Sequence, residues 1–361
     1  MGMKSLLIYG AGISGSLAAL SVLNNLGNDW EVYIYEKNTD KPCDKDCGWV
    51  WLKYNEVKEL HSSLNVGIDP EDYVLEHISD VVVHDTKIRV GNVVVFNRPR
   101  YIKALRDSLK DHFVSSPDEV NPDLVIDATG SQRAIIGSEN ENITKIYAKV
   151  HRIRLKKDLD PRTIYVYVDS IKGYACLSHI KDDYWRIGAG SIYEGPFGGR
   201  EAEVTRQLLN LCKKLRITKD DIVEESCSCE GELIHDRPSK ISYTDGEKTI
   251  AIGEAAGYIS AFGDGCATSI YSVDDLLRAM KESNDVKEII KKYGEYRSKT
   301  LSYLEFEYNM FEKAAEGYTH LFLYMLENIH EVAKLAEKLA LPHVEPIFNI
   351  TREIVHREFH F

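Results

Sequence analysis

Ser5-Leu6-Leu7-Ile8-Tyr9-Gly10-Ala11-Gly12-Ile13-Ser14-Gly15 sets an apolar strand directly before a full G-x-G-x-x-G turn. A helix follows, and Val32-Tyr33-Ile34-Tyr35 then forms a second strand that delivers Glu36. The order has a physical reason. Gly10 allows the tight turn, Gly12 lets the backbone approach a pyrophosphate whose charge meets the helix N-terminus, and Gly15 lets the helix lie close on the strand. Glu36 then accepts hydrogen bonds from ribose hydroxyls. A glycine turn alone is common in ordinary βα connections. Strand, turn, helix, strand and acid in one unit read as a site for an adenine dinucleotide, with Gly10, Gly12, Ile13, Ser14, Gly15, Glu36 and Lys37 as its cofactor-binding residues.

At 361 residues the chain is long enough for one large or two interlocked domains, each with a buried core. A formal net charge of −12, with no stripe of Lys and Arg, counts against nucleic acid as a partner, because phosphate binding needs clustered cations. The first strand begins within five residues of Met1, which leaves no room for a signal peptide, and no apolar run is long enough to span a bilayer. A cytoplasmic location is expected. Seven cysteines, an odd number in a long chain, argue against a secreted disulfide framework. Cys43-x-x-x-Cys47 and Cys227-x-Cys229 lack the spacing of structural zinc sites, so no metal is expected.

Farther along, residues 54–64 read as a helix, and Val81 to Phe96, rich in β-branched residues with Gly91-Asn92 in its middle, reads as a hairpin. Proline near a helix start and apolar residues at helical spacing predict a helix from Arg98 to Leu109. Pro122 to Asp127 is a buried strand ending in the turn Ala128-Thr129-Gly130. From Lys145 to Ile192 the pattern becomes four alternating strands with polar turns, which breaks the βα alternation and predicts an antiparallel sheet. A helix near 199–215, a last buried strand at 249–252 and a mostly helical remainder complete the chain. The fold class is therefore α/β: a Rossmann-type nucleotide domain made of 1–140 and 230–285, an inserted antiparallel sheet domain at 141–229 that takes the substrate, and a helical C-terminal region at 286–361. Leu321, Met325, Ile329, Val332, Ala336 and Leu339 keep one apolar face at helical spacing, for packing, for a second subunit or for peripheral contact with a membrane.

A second signature separates FAD from NAD. Thr249-Ile250-Ala251-Ile252-Gly253-Glu254-Ala255-Ala256-Gly257, followed by Gly263-Asp264-Gly265-Cys266-Ala267, resembles the flavin-proximal segment of FAD-dependent reductases and hydroxylases. An acid after the strand can bind ribityl hydroxyls, and a helix N-terminus offers positive potential where reduced flavin carries negative charge. Within that superfamily, which includes p-hydroxybenzoate hydroxylase, the chain most resembles the geranylgeranyl reductases. The segments that carry the likeness are Pro42 to Gly48, Asn97-Arg98-Pro99-Arg100-Tyr101, Gly173-Tyr174-Ala175-Cys176 with Tyr184 to Gly190, and Gly231 to Pro238. The resemblance implies FAD bound additionally by Cys47, Gly48, Arg98, Ala128, Thr129, Gly130, Gly253, Glu254, Gly263, Asp264, Gly265, Cys266 and Ala267, and a substrate lined by Tyr174, Cys176 and Trp185. Three departures stand out: Glu254 where the family has Asp, Thr129 where the hydroxylases have the Asp of an Asp-Gly motif, and Leu177-Ser178-His179 in place of an aromatic-proline ending.

The resemblance implies an FAD-dependent reductase that saturates double bonds of a prenyl or other hydrophobic, lipid-like substrate. Flavin supplies hydride, and the protein must supply a proton and a dry pocket. Cys47 beside the ring would donate that proton or pack as a small apolar group, and His179 and His235 are the alternative acids. A Cys43–Cys47 thiol relay lacks the C-x-x-C spacing of such devices. With a single G-x-G-x-x-G in the chain, the electron donor is ferredoxin, another small carrier or diffusing NADPH. The competing reading is an FAD monooxygenase or halogenase on the same fold. Trp49-Val50-Trp51 only superficially resembles the halogenase Trp-x-Trp motif and stands in another segment.

Overall fold

In a computed structural model, residues 2–37, 48–83, 85–137, 143–170, 173–192, 198–234, 236–246, 248–261, 263–316 and 318–338 are described; Cys43, Cys47 and His235 lie outside them. The opening unit is β1 (Lys4–Tyr9), α1 (Ile13–Leu26) and β2 (Trp30–Tyr35), with β1 and β2 parallel and Leu6 opposite Val32. Leu17, Ala18, Ala19 and Val22 of α1 are buried, and the small side chains of the two alanines let the helix settle on the sheet. The chain then forms β3 (Gly48–Leu52), α2 (Tyr54–Ser63), β4 (Val74–Val83), β5 (Thr86–Asn97) and α3 (Arg98–Asp107). After these, β6 (Leu124–Asp127) returns beside β1, again in parallel. Four strands, a helix and a final strand follow: β7 (Lys145–Leu155), β8 (Thr163–Ser170), β9 (Gly173–Lys181), β10 (Tyr184–Ile192), α4 (Gly198–Lys214) and β11 (Ile222–Ile234). Then come β12 (Thr249–Ala251), α5 (Gly265–Glu282), α6 (Val286–Glu316), α7 (Tyr318–Glu327) and α8 (Ile329–Lys338).

These strands make two sheets. The parallel one has the order β12-β6-β1-β2, and the mixed one has eight strands in the order β11-β7-β10-β9-β8-β4-β5-β3. The four strands expected between Lys145 and Ile192 are present and antiparallel to one another where they pair, but the sheet they belong to is larger than the sequence suggests. It recruits β3, β4 and β5 from inside the span read as nucleotide domain, through a parallel pairing of β4 with β8. The hairpin between Val81 and Phe96 also turns elsewhere. Val83 pairs with Thr86, so the reversal precedes β5, and Gly91-Asn92 runs within that strand. The Asn92 side chain, a turn former by type, instead accepts a hydrogen bond from the backbone N–H of Asn55 at 2.6 Å.

One core fills the space between the parallel sheet, α1 and α5. A second lies between α4 and the β7–β9–β10 face that carries Ala175, Leu177, Trp185 and Ile187. A third, with Ile78, Val93, Val95, Ile164 and Cys176, sits on the opposite face of the large sheet. The apolar stripe expected from Leu321 onward is broken at Asn328, whose side chain donates to the Tyr324 carbonyl at 2.8 Å and ends α7. Met325 and Val332 are fully buried, while Leu323, Leu326 and Ile329 are exposed. Among the described residues no helix is long and apolar enough to cross a membrane.

Candidate active site

At one end of the site stands the N-terminus of α1. Its N-cap is Gly12, no side chain caps it and its first turn holds no acid, so its N–H groups face outward for an anion. Glu36 closes this end. Its Oε2 accepts from the Ala11 N–H at 2.8 Å and from Arg106 Nη2 at 3.1 Å, while Arg106 Nε donates to the Ala11 carbonyl at 2.8 Å. Arg106 therefore locks both the glycine turn and the acid. Sequence reading missed it, because it sits inside a helix whose visible signal was apolar spacing. Of the other residues assigned to this end, Ile13 is buried in the core and Ser14 Oγ donates to Ser269 Oγ at 2.8 Å.

In the middle, β6 and β12 deliver two turns that meet. The Asp127 carboxylate accepts from the N–H groups of Thr129, Ile135 and Ile136 at 3.0, 2.9 and 3.0 Å, and so shapes the loop after β6. Thr129 is used in the same loop, donating to Asp127 Oδ1 at 2.6 Å and accepting from the Ala134 N–H at 2.8 Å. Gly253 is forced: its φ is +60°, and a Cβ there would lie 2.0 Å from Ser14 Oγ, so the second glycine turn presses directly on the first helix. From α6, Arg297 Nε donates to the Ala256 carbonyl at 2.9 Å and Nη2 to those of Pro238 and Ile241 at 2.9 and 2.8 Å, bracing that turn from behind.

Glu254 points from this turn toward Gly130, whose Cβ position lies 3.5 Å from Glu254 Oε2, and its Oε1 accepts from the Ile234 N–H at 2.8 Å. Burial pushes its carboxyl up to about 7, against the opposing pull of the Ile234 hydrogen bond and the nearby Arg98 and Lys145 charges. Folded Glu254 thus holds its proton more tightly than an unfolded glutamate, whose ordinary value is 4.5. Its contribution to stability in the flavin-free chain is complete at acid pH and disappears as pH rises through about 7. Glu254→Gln should flatten that part of the fall, visible as a smaller loss of urea midpoint between mildly acidic and neutral pH.

At the far end, Asp264 caps α5. Its Oδ1 accepts from the Ala267 N–H and its Oδ2 from the Leu52 N–H, both at 3.1 Å. Gly263, with φ +82°, places its Cβ position 3.7 Å from the Tyr174 hydroxyl, which brings β9 of the large sheet to this end of the site. Cys176, two residues on and on the same face, accepts a hydrogen bond from Arg186 Nη1 at 3.4 Å. The Arg186 guanidinium lies 4.8 Å from the centre of the Trp49 ring and that of Arg98 lies 5.0 Å from it. Cys266, on the first turn of α5, has its thiol pushed up to about 11 by burial. Of the other expected cofactor residues, Ala128 lies against the first glycine turn, its carbonyl oxygen 2.6 Å from the Cβ position of Gly10, and Gly48, at the start of β3, packs against Val95.

Strand alternation decides which expected substrate residues reach this mouth. Tyr174 and Cys176 do. Trp185 does not: it pairs with His179 on the opposite face and is 3% exposed in the core under α4. His179 is edge-on to Trp185 at 5.1 Å, and its Nε2 lies 2.8 Å from the Asp182 carbonyl in the β9–β10 turn, so the structure does not bring it to the cleft either. Arg186 and Trp49, which sequence reading left unassigned as site residues, occupy that place.

Comparison with protein-family models finds no match, and neither does comparison with curated sequences. Solved structures do match. A geranylgeranyl bacteriochlorophyll reductase-like protein of Thermoplasma acidophilum is 16% identical, with a TM-score of 0.62 over 94% of this chain and 100% of that one. A variant of Klebsiella pneumoniae HpxO complexed with FAD is 12% identical, with a TM-score of 0.62 over 98% and 99% of the two chains. The chain shares their fold. A variant of the flavin-dependent brominase Bmp2 is also 12% identical, with a TM-score of 0.61 over 98% and 99%.

Proposed function

We propose that this chain is an FAD-dependent oxidoreductase that reduces carbon–carbon double bonds of a prenyl or other hydrophobic substrate. The observation that carries the reading is a chain of contacts linking the two glycine signatures. It runs from the α1 N-terminus and Glu36, through Gly253 against Ser14 and Glu254 beside Gly130, to the Asp264 cap and Gly263 beside Tyr174. The residues present suit an extended flavin dinucleotide. The Cβ position of Gly12 meets nothing within 4 Å, and Arg98 Nε is buried without a hydrogen-bond partner among the described residues. The α1 N-terminus and Gly12 would hold the pyrophosphate, Glu36 the adenosine ribose, and Arg98 and Glu254 the ribityl chain. Flavin bound there would supply hydride chemistry.

The chain's own part is binding, exclusion of water and control of protons. Tyr174 keeps its proton, because burial raises its ionisation far above neutrality, and its hydroxyl stands at the mouth. Beyond it, Val50, Leu52, Val166 and Val168 continue the face into an apolar interior, the surroundings a hydrocarbon substrate needs. The electron donor in this reading is ferredoxin or NADPH.

The test begins with the purified chain, whose bound cofactor is identified by absorbance and mass. Dithionite-reduced protein is then incubated with geranylgeranyl lipids without oxygen. Products heavier by two hydrogens per saturated bond are expected. Turnover that requires oxygen would instead move the chain to the monooxygenase or halogenase reading.

A further inference from the structure

Along α6 the residues that face the body recur at helical spacing: Ile289, Tyr293, Leu301 and Leu304 are all buried, and Arg297 stands in the same row, itself buried. A guanidinium in an apolar row must find partners, because a charge taken out of water is costly unless it is hydrogen-bonded. Arg297 finds them in backbone outside the α-helices and strands. It donates to the carbonyls of Pro238 and Ile241, ahead of β12, at 2.9 and 2.8 Å, and to that of Ala256, in the turn after β12, at 2.9 Å. The centre of the Tyr243 ring lies 4.9 Å from its guanidinium carbon.

The same turn is held from α5. Ser272, fully buried, accepts from the Gly253 N–H at 2.7 Å, and its Oγ lies 3.3 Å from the hydroxyl of Tyr293, one helical turn before Arg297 on α6. Gly294 lets α6 come this close, since a Cβ there would lie 2.1 Å from the Tyr243 hydroxyl. Farther along α6, Glu305 Oε1 accepts from the Ser239 N–H at 2.6 Å, and Glu307 Oε1 accepts from the Lys53 ammonium at the end of β3 at 3.0 Å, in a pair whose side chains are 2% and 6% exposed. One helix thus grips three segments. Two of them also meet each other, for the Cβ position of Gly257 lies 3.3 Å from Pro238 Cα. The turn held in this way is the one that seats Gly253 against Ser14 of the first glycine signature and carries Glu254.

We propose that Arg297 and Ser272 are positioning residues of the flavin site, and that bound FAD and docked α6 stabilise each other through the Gly253–Gly257 turn. The inference rests on the FAD reading and adds the C-terminal region to it. If α6 lets go, the Ala256 carbonyl loses its donor, the Pro238–Ile241 segment behind Gly257 loosens, and Gly253 is free to leave its φ of +60°. Ser14 and Glu254 then lose the surface that aligns them. FAD would have to assemble that surface before using it, at a cost in affinity. Linkage is reciprocal, so whatever α6 adds to the affinity for FAD, FAD adds to the stability of docked α6.

The experiment is amide hydrogen exchange of the full chain with and without saturating FAD. A ligand slows exchange everywhere that depends on global unfolding, so α4, which packs in a separate core against the large sheet, is the internal control. Amides of α6 from Tyr293 to Leu301 should slow about tenfold more than those of α4. Calorimetric titration with FAD then compares two variants. Arg297→Lys keeps the charge but gives up the fork that spans three carbonyls; it should weaken FAD binding by about tenfold and abolish the extra slowing of α6. Ser272→Ala should weaken binding in the same direction by a smaller factor, and it carries this half of the test if Arg297→Lys does not fold. Equal slowing of α6 and α4 in the unmodified chain, or unchanged FAD affinity in the folded variants, overturns the proposal. An unmodified chain that gives no heat with FAD and carries no flavin absorbance overturns the FAD reading instead.

Discussion

Gly12→Val should leave the melting temperature of the flavin-free chain nearly unchanged while weakening FAD binding by about a hundredfold or more, close to 3 kcal/mol. The expectation follows from a contrast among the glycines of one turn. Gly10 has φ +94° and a Cβ there would meet the Ala128 carbonyl oxygen at 2.6 Å; at Gly15 it would lie 2.0 Å from the Gly10 carbonyl oxygen. Those two are fixed by the fold. Gly12 has φ −72° and ψ −166°, an extended geometry open to any residue, and nothing lies within 4 Å of its Cβ position. A side chain is absent there although the protein has room for one, which is the signature of space kept for a ligand. Valine at an N-cap costs helix stability on the order of 1 kcal/mol at most. Calorimetric titration with FAD beside a thermal melt measures both halves. A large loss of stability with unchanged binding would mean that the glycine serves the fold.

Glu307→Ala should destabilise the chain by about 3–5 kcal/mol, because it leaves the Lys53 ammonium buried without its counter-charge. Combining Lys53→Met with Glu307→Leu should recover most of that loss, since a hydrophobic pair of similar volume avoids the desolvation of both ions. Urea unfolding of the single and double variants gives the comparison. Equal losses in both would show that packing, and not charge, governs the site. The pair joins the β3–α2 corner to α6, so the result also measures how firmly the C-terminal helices hold the cleft.

Much of the fold was legible because its signals are local. The strand and turn of Ser5–Gly15, the acid at Glu36 and the two glycine turns around Gly130 and Gly253 each declare themselves within a few residues. The long-range pairings do not. Nothing in Val74 to Asn97 announces that β4 will lie parallel to β8, because strand partners are chosen by burial over the whole sheet. The site divides the same way. Gly12, Glu36, Glu254 and Asp264 stand in motifs, whereas Arg106, Arg186, Arg297 and Lys53 are ordinary charged residues until tertiary structure turns them inward. Trp185 and His179 illustrate the period of two: they belong to the right strands, one residue out of phase with the cleft.

The path of the backbone between the two sheets restricts how this molecule can move. It passes from the parallel sheet to the mixed one after β2, returns at β6, leaves again at β7 and comes back at β12, four transits in all. Two bodies joined four times by one chain can swing apart only if all four connections bend together. That favours admission of a bulky guest by side chains and connecting loops around the frame.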